Sequence, residues 1–128
     1  MILDCSAIAA ILLKEPGYEE LLDKIIAARF VGIGAPTMVE CGILLSARLR
    51  QDARGLLARF LEESEAVVIP FRAEHMHIAI GAWLNYGKGR HKARLNFGDC
   101  MAYAVAKAAG MPLLCTGNDF VHTDLELA

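Results

Sequence analysis

The sequence has no closely spaced pair of cysteines, no excess of positive charge and no apolar run approaching the ~20 residues needed to span a bilayer. Each absence removes a class of protein. Cys5, Cys41, Cys100 and Cys115 stand singly in apolar segments. Thiolate metal sites and redox motifs use close pairs, so these four read as small buried hydrophobes. A disulfide framework is equally unsupported, because hydrophobic residues make up 55% of the 128, enough to build one core without staples. A formal net charge of −2 excludes a general electrostatic hold on nucleic acid, so an anionic partner must meet a local patch. Lys14, Glu15 and Pro16 cut short the first apolar segment, which also lacks the basic start and cleavage site of a secretory signal. The expectation is a cytoplasmic protein with no membrane partner. Internal repeats, linkers and low-complexity tracts are missing too, and residues 1–128 read as one domain.

What is present alternates short apolar runs with helical patterns. Ile2 and Leu3 form a brief buried strand ending at Asp4, and a helix follows that Ser6 is placed to cap. PGYEELLDKIIAA carries Leu21, Leu22, Ile25 and Ile26 at helical spacing, and FVGIGAP reads as a second strand. Pro36 and Thr37 open a long helix with Glu40 one turn in; QDARGLLARFLEES is the next helix, and AVVIPF is the plainest strand. A helix from about Arg72 to Tyr86 leads into the polar GKGRHKARLN, then the helix DCMAYAVAKAAG stops at Gly110. MPLLCTGNDF is a strand running into a turn, with a short edge strand expected near Leu125 to Leu127. Strands alternating with helices predict an α/β fold, a mostly parallel sheet covered on both faces.

Asp4 ends the first strand and Asp119 follows the strand PLLC; Asp99 heads the helix leading into that strand, and Glu40 lies in the first turns of a helix that follows a strand. In an open α/β sheet the crevice beyond the C-terminal strand ends is the ligand site, so all four reach one rim. Carboxylates brought close together repel and resist ionisation unless a cation sits among them. Hard oxygens in that number favour Mg²⁺ or Mn²⁺ over zinc, and such an ion serves phosphoryl chemistry. Singly, each acid has a plainer reading: Asp99 as a helix cap after Gly98, Asp4 and Asp119 as turn residues, Glu40 on a solvated face.

Just upstream of Asp99, GKGRHKAR gathers Lys88, Arg90, His91, Lys92 and Arg94 within seven residues. Beside the acids this patch suits the phosphates of a nucleic acid; without them it is a solvated loop. Other signals are weaker. His75 and His77 point to different helix faces. VGIG does not extend to a dinucleotide fingerprint, no phosphate-binding glycine loop or hydrolase triad occurs, and His122 reads as structural.

ILDCSA, APTMVECGILL, GKGRHKARLNFGDCMAYAVAKA and PLLCTGNDF, in this order and spacing, resemble the PIN-domain ribonucleases, specifically VapC-type toxins of bacterial toxin–antitoxin pairs. The resemblance covers essentially the whole chain. It implies a three-layer α/β/α fold, usually a homodimer, that cuts RNA with Mg²⁺ or Mn²⁺. Asp4 and Asp99 would be the principal metal ligands, Glu40 the third acid and Asp119 the C-terminal acid, with Ser6 and Thr116 supporting them by hydrogen bonds. Lys88, Arg90, Lys92 and Arg94 would bind RNA. Many PIN domains carry an aspartate where this chain has Gly117, so Asp124 stands as a reserve fourth acid. The resemblance also implies a small VapB-type antitoxin, and the acidic rim invites an arginine from it.

Three alternatives stay in view. A Mg²⁺-dependent phosphatase would need a second aspartate where Ser6 stands, and a receiver domain would need one at the end of AVVIPF. A non-catalytic module on the same fold is the stronger rival, although it has no need of the acids.

Overall fold

The computed structural model describes residues 1–128. In chain order the elements are β1 (Ile2–Leu3), α1 (Cys5–Leu12), α2 (Tyr18–Ala27), β2 (Gly32–Gly34), α3 (Ala35–Leu49), α4 (Arg54–Ser64), β3 (Val67–Ile69), α5 (Ala73–Tyr86), α6 (Phe97–Ala109) and β4 (Leu113–Leu114). The strands pair in the order β3-β2-β1-β4, and every pairing is parallel, with Ile2 opposite both Gly32 and Leu113. No helix is long and apolar enough to cross a membrane.

Alternation along strands of only two residues divides the core into two faces. Leu3 and Leu114 turn to one side, where Ile8, Ile11, Ile25, Leu45 and Phe60 from α1 to α4 cover them. Ile2 and Leu113 turn to the other, against α5 and α6. The result is three layers, α/β/α. All four of these strand residues are fully buried, so trimming Leu114 to alanine should cost about 2–5 kcal/mol. On the second face α6 lies close because Ala102, Ala104 and Ala106 keep its inner side small and β2 offers Gly34, where a Cβ would fall 2.9 Å from Val105 Cγ2.

Four local readings are changed or sharpened. Asp4, not Ser6, caps α1: its side chain accepts from the Ser6 backbone N–H, and Ser6 is already helical. The helix carrying Asp99 begins at Phe97 and is capped by Asn96. AVVIPF is the edge strand, with Val67 and Val68 about half exposed. The expected strand near Leu125–Leu127 is one parallel bridge, Leu113 with Leu127, on the outer side of β4.

The sheet order fixes the location of a site. From β1 the chain moves outward through β2 to β3, then returns to place β4 on β1's other side. The reversal between β1 and β4 is a topological switch point, and the crevice opens beyond the C-terminal ends of those two strands.

Candidate active site

Asp4 follows β1 directly and is 5% exposed. Its Oδ2 accepts from the Ser6 backbone N–H at 3.0 Å and from the Ser6 hydroxyl at 2.6 Å. Ser6 Oγ in turn accepts from the Thr116 N–H at 3.0 Å, so the loop after β4 is tied through Ser6 to the acid after β1. Thr116 thus joins this network by its backbone amide, its own hydroxyl taking no part in the bond. Asp99 sits in the first turn of α6, 8% exposed, where its Oδ2 accepts from the Asn96 N–H at 2.9 Å while Asn96 Oδ1 accepts from the Asp99 N–H at 2.8 Å. This reciprocal box fixes the carboxylate against its own helix start.

Glu40 enters from α3, half-buried, and lies against the backbone of Gly98; a Cβ at position 98 would fall 2.8 Å from Glu40 Cδ. Asp119 is exposed on the turn after β4, anchored by buried Phe120. Gly117 in that turn has φ +75°, a left-handed backbone that side chains rarely adopt, and Asp119 is the one acid between β4 and Phe120.

The electrostatics join these four. Burial pushes the Asp99 carboxyl up to about 6, with Asp4, Asp119 and Glu40 adding repulsion. Asp4 is raised by burial, against the pull of its Ser6 hydrogen bonds and with a further push from Asp119. Glu40 is raised by burial and by Asp4. No lysine or arginine relieves them, since the ion pairs join Glu15, Asp52, Glu63 and Asp124 to other bases. Cys41, directly behind Glu40, is held as a thiol by contact with the Cys5 thiol and by burial, and burial raises Cys115 to about 11. Sulfur is therefore withheld and the available donors are carboxylate oxygens.

The expectation of several carboxylates packed within a few ångströms is corrected in one respect. No group of three His, Cys, Asp or Glu stands close enough to hold a metal ion among them. Like charges push apart, and Asp4 and Asp99 each turn an oxygen to their own helix N-terminus. Mg²⁺ suits such a site nonetheless, because it commonly binds one or two carboxylates directly and keeps several waters. Asp124, the reserve acid, is engaged elsewhere: it accepts from Lys107 Nζ on α6 at 2.7 Å and from the Tyr103 hydroxyl, which lower its pKa.

Lys88, Arg90, His91, Lys92 and Arg94 do share one concavity, closed at its neck by a bridge between Gly87 and Leu95. None of them is among the charges acting on the acids, so the loop flanks the rim without entering it. His75 is buried with its ring nitrogen accepting from the Arg72 N–H, and His122 is exposed, contrary to the structural role expected of it. Asn96 and Gly98 are site residues that the residue pattern alone does not single out. N-x-x-D is the available signal for the first, a capping-box spacing.

A three-layer parallel domain with its acids at the switch point is the arrangement of a PIN domain, and residues 1–125 match that family. The chain belongs to the PIN-domain family. It is 46% identical to ribonuclease VapC36 of Mycobacterium tuberculosis over 127 residues, covering 98% of this chain and 91% of the relative. Ribonuclease VapC28 of the same organism is 39% identical over 129 aligned positions, covering all of this chain and 97% of the relative. Among solved structures, M. tuberculosis VapC20, a sarcin–ricin loop cleaving toxin, superposes with a TM-score of 0.78 at 20% identity, covering 99% of this chain and 97% of that one. VapBC2 of Rickettsia felis, bound to a DNA fragment from its promoter, gives 0.76 at 17% identity over 99% and 96%.

Proposed function

We propose that this chain is a metal-dependent endoribonuclease, the toxin of a toxin–antitoxin pair, hydrolysing RNA phosphodiester bonds with Mg²⁺ or Mn²⁺ at Asp4, Glu40, Asp99 and Asp119. The observation that carries the reading is a rim of four mutually repelling acids, two of them buried, with no basic side chain among them. Its full-length relatives named as VapC ribonucleases support the same activity. The ion would supply neutralisation of the charge building on the phosphodiester and acidify the attacking water. The chain's residues do the rest. Ser6 and Asn96 orient Asp4 and Asp99, each through Oδ2. Glu40 adds a third carboxylate from α3, and the basic loop holds flanking phosphates. Without a cation the rim sheds charge by keeping protons, and Asp99 Oδ1, which Asn96 leaves free, is the atom suited to carry one.

A small antitoxin would restrain the enzyme by placing an arginine among Asp4, Glu40 and Asp99. Beside Glu40 a groove between α3 and the start of α6 exposes Val39, Ile43 and Phe97, apolar surface fit for the rest of such a partner. Homodimerisation and a cytoplasmic setting belong to the same reading. The test is to incubate the purified, partner-free chain with RNA in Mg²⁺ or Mn²⁺, with and without EDTA. Cleavage that EDTA stops is expected. RNA binding without cleavage in either metal would favour the non-catalytic module, the reading to which the absence of a preformed metal-chelating trio lends its weight.

A further inference from the structure

The single tryptophan, Trp83, is 43% exposed near the C-terminal end of α5. Large aromatics that serve only packing are normally covered, and this one is held in place by two features outside its own burial. Gly87, one turn later, leaves room for the indole to lie across the helix end; a Cβ there would fall 2.8 Å from Trp83 Nε1. From the basic loop, Arg90 returns to set its guanidinium over the ring at 4.9 Å, steadied by its Nε donating to the Leu84 carbonyl at 3.2 Å. The indole and guanidinium planes are thus arranged before any ligand arrives, and Arg90 also lines the concavity with Lys88, Lys92 and Arg94.

The pair lies on the side of the molecule where α6 begins. The loop joins the end of α5 to the start of α6, and Tyr86 packs on Tyr103, one turn beyond Asp99, with ring centroids 5.9 Å apart. The loop that would hold RNA phosphates therefore leads directly into the helix that carries Asp99. Aromatic rings and guanidinium planes are the surfaces on which unpaired bases stack, whereas a duplex keeps its bases stacked on one another.

We propose that Trp83 and Arg90 form a stacking platform for an unpaired nucleobase of the bound RNA strand. The proposal rests on the ribonuclease reading of the neighbouring acids. Met76, Ile80 and Leu84 continue an exposed stripe along α5, so a second copy of this chain is the competing occupant.

A lone tryptophan makes the test direct. The whole chain, held in EDTA to prevent cleavage, is titrated with a short single-stranded oligoribonucleotide and with its duplex; Trp83 emission and the anisotropy of labelled RNA are followed together. Saturable quenching by the single strand, absent with the duplex, is expected. Arg90→Lys keeps the charge and loses the plane, and Trp83→Leu loses the ring; each should weaken single-strand binding about tenfold by anisotropy, with Trp83→Phe intermediate. RNA that binds without quenching and is indifferent to Trp83→Leu overturns the platform and leaves the ribonuclease reading standing. No RNA binding at all defeats both. Emission that changes with protein concentration alone, with duplex and single strand then bound equally, overturns the platform and assigns the stripe to self-association.

Discussion

Asn96 and Asp99 hold each other: the Asp99 carboxylate accepts from the Asn96 backbone N–H, and the Asn96 side chain accepts from the Asp99 backbone N–H. The acid that completes this capping box in the first turn of α6 is therefore fixed in orientation for the rim, and its burial in that position is what raises its pKa.

Asp99→Asn keeps the shape and an acceptor for Asn96 while removing a charge. Cleavage should be abolished and Mn²⁺ binding by calorimetry weakened. Without metal the variant should melt higher, by roughly 4 °C or about 1 kcal/mol after discounting for solvent screening. Wild-type cleavage rates from this variant would remove Asp99 from the site.

The pH dependence follows from the same shift. An unfolded aspartate ionises near its ordinary value of 3.8, and folded Asp99 near 6, so between those values the folded state binds more protons. Metal-free stability should fall as pH rises from about 4 to about 6 and level off above, with Asp4 and Glu40 acting in the same direction. Cleavage, which needs the ionised rim, should rise across that window. Melting scans in EDTA and a pH–rate profile in Mg²⁺ check both; stability that rises with pH in EDTA would contradict the assignment.

Gly98→Ala places a methyl where Glu40 now lies. Displacing that carboxylate by about 1 Å should lower cleavage by about 100-fold with the fold retained. Circular dichroism and turnover measured on the same sample separate a moved acid from a misfolded chain.

Much of the fold and rim is legible in the sequence, and the illegible part has a pattern. Asp4, Asp99 and Asp119 can be sent to one rim because strand ends and helix starts are marked by local residue type. Capping reads one step wrong at both helices: Asp4 and Ser6 are both good caps, and only the backbone decides which lies outside the helix. β3 reads plainly as a strand but not as an edge, because a run of valines looks the same at the centre and the edge of a parallel sheet. The Glu40–Gly98 approach and the Arg90–Trp83 pair join residues on different elements, and periodicity carries no record of them.

Neutralising Lys88, Lys92 and Arg94 together should reduce the steepness with which RNA affinity falls as salt rises, by about one unit of the log–log slope for each phosphate no longer neutralised. The melting temperature should change little, because all three are exposed. An unaltered slope would return the loop to plain solvated surface.

Control by a small partner predicts competition. If a partner arginine occupies the rim, raising Mn²⁺ should relieve inhibition in the native complex, and changing that arginine to alanine should weaken inhibition and abolish the metal effect. RNA cleavage assays on the two complexes decide it. Identical inhibition curves would mean that the partner works only by covering the RNA path.

The hydrogen bond from Thr116 to Ser6 spans a separation of 110 residues, and the adjacency of β1 and β4 that permits it has a consequence in time. During synthesis the residues after β4 follow Asp4 by roughly ten seconds, at a rate of about 5–20 residues per second. Until β4 inserts beside β1, the opening half of the rim has nothing to face. A nascent chain that has not yet made β4 therefore holds no complete rim, and the acids after β1 and β4 come together in one step when that strand docks.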